Sequence, residues 1–337
     1  MKLLRAHGLT LVLLVAALVL LAGFVSDELR LGVQQRDLNL ALSQKDTFSI
    51  DLQAARDEAA ASQKQVDALA TRAAGLDADL AAARDAPADW NSQTFAFKSE
   101  YDGASQSYLL LSPKAMPTGK RPLVVYFHSL GHGPDEVTTL RAGAESLVSF
   151  LMRRGVILAS PSYRGDSWLN PAATADVSQV IHAVQARWPI GPVVLSGYSM
   201  GGTAALIYAI LAPHDVTLGG LVAANYASDV AGLWTEGKNA QVKESIRTAY
   251  GGSPDQQPAV YDERSVLGNL IHLPAQMPIA LYASYSDSMI PVAQQTRLRD
   301  ALALRGNPML YVVIPGDQRL ESLDEGFAFV LNRLEAR

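Results

Sequence analysis

Residues 193–211 constrain the fold of this chain more than any other stretch. The apolar run 193–196 predicts a short buried strand, and the small and apolar residues 201–211 predict a helix. Between them, Gly197-Tyr198-Ser199-Met200-Gly201 fits the G-x-S-x-G pattern of a sharp strand-to-helix turn. Glycine on both sides allows the backbone to close, so that the serine hydroxyl projects beyond the end of the sheet. The pattern therefore predicts a nucleophilic Ser199 at the N-terminus of a helix.

Apolar strands and helices alternate through the rest of the chain from residue 90 onward. Strands are predicted at 108–111, 123–128, 156–160, 193–196, 220–225, 278–283 and 309–314. Helices are predicted at 137–153, 173–187, 201–211, 292–305 and 323–335, with a more polar helical insertion over 229–270. This alternation predicts an α/β fold with a doubly wound, mostly parallel sheet.

The N-terminal 28 residues are predicted to be a short cytoplasmic tip and a transmembrane anchor. Residues 6–26 contain no Asp, Glu, Lys or Arg, and about 20 apolar residues span a bilayer. Lys2 and Arg5 precede this run and Asp27 follows it, which favours a cytoplasmic N-terminus and a remainder that is periplasmic or extracellular. The alternative is a signal sequence that is removed, although the apolar run exceeds the roughly 7–15 residues of such a core.

Residues 29–86 are predicted to form a coiled-coil stalk. One heptad register runs from 31 to 83, and thirteen of its sixteen core positions are apolar. Five of those thirteen are alanine, so the apolar seam is thin and homo-oligomerisation is expected to be modest. A single solvated alanine-rich helix is the alternative. Pro87 cannot continue the helix, so the third region is taken as 87–337.

Charge and composition exclude several kinds of partner. The net charge of −5 provides no basic surface for nucleic acid, and a chain without cysteine has no disulfide and no thiolate metal ligand. His128 and His132 are four residues apart, but the intervening glycine and the loop context do not favour a metal site. We therefore expect neither a metal nor a cofactor.

Two further segments supply groups that a serine nucleophile requires in acyl transfer. Residues 128–133 follow a predicted buried strand and contain a glycine turn, from which the amide of Leu130 is expected to join that of Met200 as an oxyanion donor. Asp287 follows the strand 278–283 and lies after Ser199 in the chain, as the acid does in proteins whose nucleophile lies on a G-x-S-x-G turn. Asp287 is therefore the predicted acid, and a helix N-cap is its structural alternative.

These segments, in this order and spacing, resemble the α/β-hydrolase superfamily, and in particular esterases and peptidases of the prolyl oligopeptidase and dienelactone hydrolase type. The segments that carry the resemblance are 124–131, 161–165, 197–202, 286–291 and 312–316. The resemblance implies that Arg164, Trp168 and Tyr198 line the substrate side, with ordinary packing as the alternative. It also implies that the loop after the last strand reads Pro-Gly-x-His, with that histidine as the general base.

The sequence departs from that pattern at the base. The matching loop is Pro315-Gly316-Asp317-Gln318, so glutamine stands where the histidine is expected, and no histidine follows His272. Glutamine does not titrate and cannot accept the proton of Ser199. His132 is a possible substitute base, whereas His182 and His272 are interpreted as structural.

Two functions follow from this departure. The first is a membrane-anchored serine hydrolase that cleaves an ester or peptide substrate with an impaired, atypical triad. The second is an inactive pseudo-hydrolase that serves as a binding or assembly module, with an unidentified protein partner, on the coiled-coil stalk.

Overall fold

The computed structural model describes residues 30–40, 56–67, 89–116, 118–143, 145–314 and 323–335, together with 21, 42–43, 45, 52–53, 69–70 and 72. Contacts within the chain divide it into two units, Met1–Asp85 and Ala86–Arg337.

The described residues of Met1–Asp85 are all helical and all exposed. Leu31, Leu38, Val66 and Leu69, which occupy seam positions of the heptad register, are among the exposed large apolar side chains. The predicted self-association of this segment stays a prediction. Nowhere in the described part of the chain does a helix have the length and apolar character needed to cross a membrane. The predicted anchor lies outside the described residues except for Leu21.

The second unit is built on an eight-stranded sheet with the order β1-β2-β6-β3-β7-β8-β9-β10. The strands of the unit are β1 Trp90–Lys98, β2 Ser105–Pro113, β3 Arg121–Phe127, β4 Arg141–Ala142, β5 Glu145–Ser146, β6 Ile157–Pro161, β7 Ile190–Tyr198, β8 Leu218–Ala224, β9 Ile279–Ser284 and β10 Met309–Ile314. From β6 to β10 in this order neighbouring strands pair in parallel, whereas β1 and β2 are antiparallel. The short strands β4 and β5 form a separate ladder.

Helices cover both faces of this sheet. They are α1 Leu147–Arg153, α2 Pro171–Gln185, α3 Met200–Leu211, α4 Val230–Glu236, α5 Ala240–Tyr250, α6 Pro258–Glu263, α7 Val292–Arg305 and α8 Asp324–Glu335, with 3₁₀ turns at Pro134–Thr139 and Leu270–His272. Alternate residues of the central strands enter two cores: Leu195 packs with α2, α3 and α7, and Val194 packs with α1 and α8. Strands buried on both faces explain the continuous apolar runs in the sequence. The predicted α/β fold with a mostly parallel, doubly wound sheet is therefore confirmed.

The predicted helix 137–153 is wrong in its first half. Residues 134–139 form a 3₁₀ turn, the β4–β5 ladder follows, and only Leu147–Arg153 is α-helical. Gly143 has a φ of 61°, a left-handed conformation that interrupts a helix and suits a tight turn. The helix then starts anew at Ser146, whose hydroxyl accepts a hydrogen bond from the Ser149 amide.

Two further differences from the predicted elements concern the first strand and the insertion after β8. Strand β1 was absent from the predicted set, because its polar and half-exposed residues lack an apolar run. The insertion 229–270 is helical as expected, but it is divided into α4, α5 and α6 with a final 3₁₀ turn. Left-handed Gly251 ends α5, and Pro258 begins α6.

Candidate active site

The backbone of Ser199 has the strained conformation that a nucleophile elbow requires. Ser199 lies between β7 and α3 with φ 55° and ψ −118°, a region that non-glycine residues rarely occupy. Its amide donates to the Ala224 carbonyl at 2.8 Å, and its carbonyl accepts from the amide of Thr203 at 3.0 Å and from the hydroxyl of Thr203 at 3.1 Å. The structure around the turn therefore holds the strained residue on both sides. Within the described residues, the Ser199 hydroxyl itself has no hydrogen-bond partner.

The glycines of the elbow are required by close backbone contacts. A Cβ atom on Gly201 would lie 1.9 Å from the Phe127 carbonyl oxygen, and a Cβ atom on Gly197 would lie 2.3 Å from the Gly201 carbonyl. The first contact presses the start of α3 against the end of β3, from which the loop 128–133 leaves. The absence of side chains at the elbow thus brings the predicted oxyanion loop next to Ser199.

In the loop 128–133, the Leu130 amide is available while the amides on either side of it are satisfied. The Ser129 amide donates to Glu136 at 2.7 Å, the Gly131 amide donates to Asp166 at 2.7 Å, and the His132 amide donates to the Ser129 carbonyl at 3.1 Å. The Leu130 amide has no acceptor among the described residues, and neither has the Met200 amide at the start of α3. Two unsatisfied donors beside a serine hydroxyl are what an oxyanion hole requires. The roles of Leu130 and Met200 as oxyanion donors stay predictions.

A buried carboxylate lies beneath this loop. Glu136 is 8% exposed. It accepts hydrogen bonds from the Ser129 amide, from the Ser129 hydroxyl and from the Tyr126 hydroxyl, the last at 2.9 Å. Burial, with the Glu136 carboxylate as a second cause, raises the pKa of Tyr126 well above its ordinary value, so Tyr126 stays protonated and remains a donor. Sequence analysis missed Glu136, which reads as an acidic residue in the first turn of a helix.

Asp287 follows β9 and lies at the same edge of the sheet as Ser199. Its Oδ1 atom accepts from the amides of Met289 at 2.7 Å and Ile290 at 3.0 Å, which fixes the carboxylate at the start of the segment that leads into α7. Ile314, the last residue of β10, pairs with Ser284, the last residue of β9. Strand β10 therefore ends level with the end of β9, which leads into the Asp287 loop. Gln318 itself lies outside the described residues.

Three histidines are not placed to act as the base: His182 and His272 lie away from the edge of the sheet that carries Ser199, and both nitrogens of His128 already face other groups. His182 pairs with Asp215 at 3.1 Å, just ahead of β8. His272 shares a cavity with the C-terminal end of α3, the end of that helix opposite Ser199 and about 18 Å away along it. Both imidazole nitrogens of buried His128 face backbone carbonyls, one at 3.0 Å and one at 3.1 Å.

His132 is the exposed histidine of the oxyanion loop. Its Nδ1 atom lies 3.8 Å from Glu136, and its side chain is half exposed. The role of His132 as a substitute base stays a prediction.

Arg164 and Trp168, two of the three residues implied to line the substrate side, bind other groups of the protein. Arg164 pairs with Asp176 at 2.6 Å and Asp102 at 2.7 Å, and its hydrogen bond to Asp102 lowers the pKa of that carboxyl well below its ordinary value. Trp168 is 1% exposed, and its indole N–H donates to Ser245 at 2.9 Å. Both side chains are structural.

Tyr198, directly before Ser199, contacts Asn225, a residue that sequence analysis missed. Asn225, immediately after β8, is 4% exposed with a φ of 47°. Its Nδ2 atom lies 3.4 Å from the Tyr198 hydroxyl, and its Oδ1 atom is buried with no partner among the residues that the structure describes. Asn and Asp tolerate the left-handed conformation better than other residues, but no motif marked this position.

An open cavity of about 340 Å³ adjoins the oxyanion loop. It is lined by Leu130, Asp166, Gln241, Glu244, Ser245 and Thr248. One face of α5 therefore lines this cavity together with Leu130 and Asp166.

Comparison with known proteins agrees with this geometry. Residues 144–318 match the sequence profile of the prolyl oligopeptidase family, which is 175 of the 337 residues of the chain. The chain belongs to the prolyl oligopeptidase family. This is a family of serine hydrolases that includes peptidases and esterases, so the predicted resemblance is confirmed. A search of curated protein sequences found no match.

Solved structures of serine hydrolases share the fold. FphF, a fluorophosphonate-binding serine hydrolase of Staphylococcus aureus in its substrate-bound form, is 13% identical with a TM-score of 0.57, over 73% of this chain and 98% of that chain. Prolyl oligopeptidase B from Galerina marginata is 15% identical with a TM-score of 0.55, over 73% of this chain and 37% of that one. An acylaminoacyl peptidase from Pyrococcus horikoshii is 14% identical with a TM-score of 0.54, over 73% and 41%. The chain thus spans nearly all of the first protein and less than half of each peptidase.

Proposed function

We propose that the unit Ala86–Arg337 is a serine hydrolase with an impaired triad, in which Ser199 attacks the carbonyl carbon of an ester or peptide. The observation that carries this proposal is the strained backbone of Ser199, together with the amides of Leu130 and Met200, which have no acceptor in the part of the chain that the structure describes. Strain of this kind costs about 1–3 kcal/mol and persists only where the surrounding structure maintains it.

The proposed reaction uses this geometry in two steps. In the first, the Ser199 Oγ atom bonds to the carbonyl carbon while its proton passes to solvent water, and the carbonyl oxygen gains negative charge opposite the two amides. The carbonyl then re-forms as the bond to the leaving group breaks, and the leaving group departs as an anion or takes up a proton from solvent. In the second step a water molecule bonds to the acyl carbon and gives up a proton to solvent, the bond between that carbon and Oγ breaks, and Oγ takes up a proton as the acid is released. The positive end of the α3 dipole favours the charge that develops in both steps.

Gln318 limits the proposed activity because it cannot accept the serine proton. Loss of the triad histidine costs about 10⁶-fold in kcat in a serine hydrolase where this was measured. We therefore propose slow turnover, with best rates for substrates whose leaving group needs no protonation, such as aryl esters. Asp287 is proposed to act as the acid that orients whatever base is present.

The experiment that tests this function is labelling of the full chain with a fluorophosphonate. We expect slow labelling that is lost completely in Ser199→Ala, because the phosphorus atom is attacked by the same hydroxyl. Peptide mapping should locate the label at Ser199, and Ser196→Ala, which removes a buried hydroxyl of β7, is the matched control that keeps it. If the parent is labelled, His132→Ala is then tested to learn whether that imidazole is the substitute base.

A second function is favoured by Gln318 itself. If the glutamine has abolished turnover, the domain is a pseudo-hydrolase that binds a ligand or protein partner in the retained site and serves as an assembly module. Absence of any label on Ser199 in the parent after prolonged incubation, in a protein that is folded, would support this function and contradict the first.

The N-terminal region is proposed to anchor the protein in a membrane and to mediate weak self-association. The uncharged run 6–26 and the heptad seam 31–83 support these two roles. We expect the full chain to stay with membranes after alkaline carbonate washing. A chain that begins at Gly32 should be soluble and should sediment as an oligomer, whereas a chain that begins at Trp90 should sediment as a monomer. Identical monomeric sedimentation of both shortened chains at high concentration would refute the oligomer, and extraction by carbonate would refute the anchor.

A further inference from the structure

We propose that Glu136 and Asp166 are positioning residues that hold the Leu130 amide as an oxyanion donor. This inference rests on the proposed function of Leu130 and names the groups on which that function depends. The two carboxylates approach the loop 128–133 from different elements, one from the 3₁₀ turn and one from the segment between β6 and α2.

The hydrogen bonds of the loop carry the inference. Glu136 accepts from the amide immediately before Leu130, and Asp166 accepts from the amide immediately after it, each at 2.7 Å. The Leu130 N–H shares one planar peptide unit with the Ser129 carbonyl, and that carbonyl accepts from the His132 amide at 3.1 Å. With this unit and both flanking peptide groups held, the direction of the Leu130 N–H is held as well. Bonds from amides to carboxylates are stronger than bonds to neutral acceptors, so the turn is held without any side chain that points at the substrate.

The surroundings of Glu136 show why a negative charge can lie so close to a developing oxyanion. Three donors, from Tyr126 and Ser129, already satisfy the carboxylate. The His132 imidazole lies 3.8 Å away and offsets the charge whenever it is protonated. Asp166, by contrast, is exposed, so solvent screens its charge.

A glutamine at position 136 can replace the hydrogen bonds but not the charge. The Tyr126 hydroxyl and the Ser129 amide both donate to Oε2, where an amide oxygen can accept both. The amide NH2 group then takes the place of Oε1 and donates to the Ser129 hydroxyl, which is also an acceptor. Glu136→Gln should therefore keep the turn, whereas Glu136→Ala should release it.

The test combines two readouts on the full chain carrying Gln318→His, with the parent alongside. The first is hydrogen–deuterium exchange of residues 128–133, which needs no activity. The second is fluorophosphonate inactivation, separated into the maximal rate and the half-saturating concentration. We expect Glu136→Ala to speed amide exchange in the loop by tenfold or more and to lower the maximal rate on the order of 10²-fold, the usual cost of losing one oxyanion donor. The half-saturating concentration should change little.

Controls separate this role from a general loss of structure. Glu136→Gln should restore both readouts to within a few-fold. Asp135→Ala, which removes the adjacent exposed carboxylate, should leave both unchanged. If Glu136→Ala does not fold, Asp166→Ala tests the other side of the turn at an exposed site, with the same expected directions.

The outcomes distinguish this inference from the proposed function. Unchanged exchange in both alanine variants, or a Glu136→Gln variant that behaves like Glu136→Ala, would overturn the positioning role. If Ser199 is never labelled but exchange rises in the alanine variants and is restored by Glu136→Gln, the carboxylates do position the loop and the proposed hydrolase function has failed.

Discussion

Replacing Gln318 by histidine is expected to raise the rate constant for fluorophosphonate labelling of Ser199 on the order of 10³-fold or more. A histidine at this position supplies the titratable base that glutamine lacks. The expected gain is smaller than the roughly 10⁶-fold cost of removing a triad histidine elsewhere, because this loop carries no selection for orienting an imidazole. The labelling rate constant of Gln318→His should rise with pH as a group that titrates near neutral pH loses its proton.

Two variants control this result. Gln318→Asn changes the size of the side chain without adding a base and should label no faster than the parent. Gln318→His combined with Ser199→Ala should not label at all. Equal rates for Gln318→His and Gln318→Asn would mean that residue 318 does not approach Ser199, and the assignment of the base position would be wrong. A large gain would show that the rest of the site is intact and that the base is the main defect.

Replacing Gly201 by alanine is expected to destabilise the second unit by about 3 kcal/mol or more, the upper range for overpacked sites. The added Cβ atom would lie 1.9 Å from the Phe127 carbonyl oxygen and 2.7 Å from the His128 carbonyl oxygen. Both contacts are to backbone, so relief requires α3 to move away from β3. For a unit of this size the midpoint of thermal unfolding should fall on the order of 10 °C, and labelling at Ser199 should be lost even in molecules that remain folded.

Gly191→Ala is the matched control. Its Cβ atom would meet the Arg121 carbonyl oxygen at 3.6 Å, an ordinary contact, so the free energy of unfolding should change by less than about 1 kcal/mol. Calorimetry or chemical denaturation of both variants measures the difference. If Gly201→Ala is as stable as Gly191→Ala, the close approach of α3 to β3 does not exist as described, and with it the proximity of the oxyanion loop to Ser199.

The sequence by itself predicted the elements whose signals are local. Residues 193–211 predicted a strand, a sharp turn and a helix, because apolar periodicity and paired glycines depend on neighbours in the chain. Ser199 and Asp287 each come directly after a predicted strand of a parallel sheet, which places both at the carboxyl edge of that sheet. The absence of a histidine at position 318 also needs no structure to be seen.

The tertiary structure decided what depends on distant partners. The helix predicted at 137–153 was shortened because Gly143 adopts a left-handed turn and a two-residue ladder forms around it. Arg164 forms ion pairs with Asp102 and Asp176 instead of lining the substrate side as the resemblance implied, and only folding brings these carboxylates near it. The Leu130 amide is available because carboxylates 6 and 36 residues further along the chain, Glu136 and Asp166, satisfy its neighbours. No periodicity or motif encodes such an arrangement, because hydrogen bonds between loops are set by where the sheet places their ends.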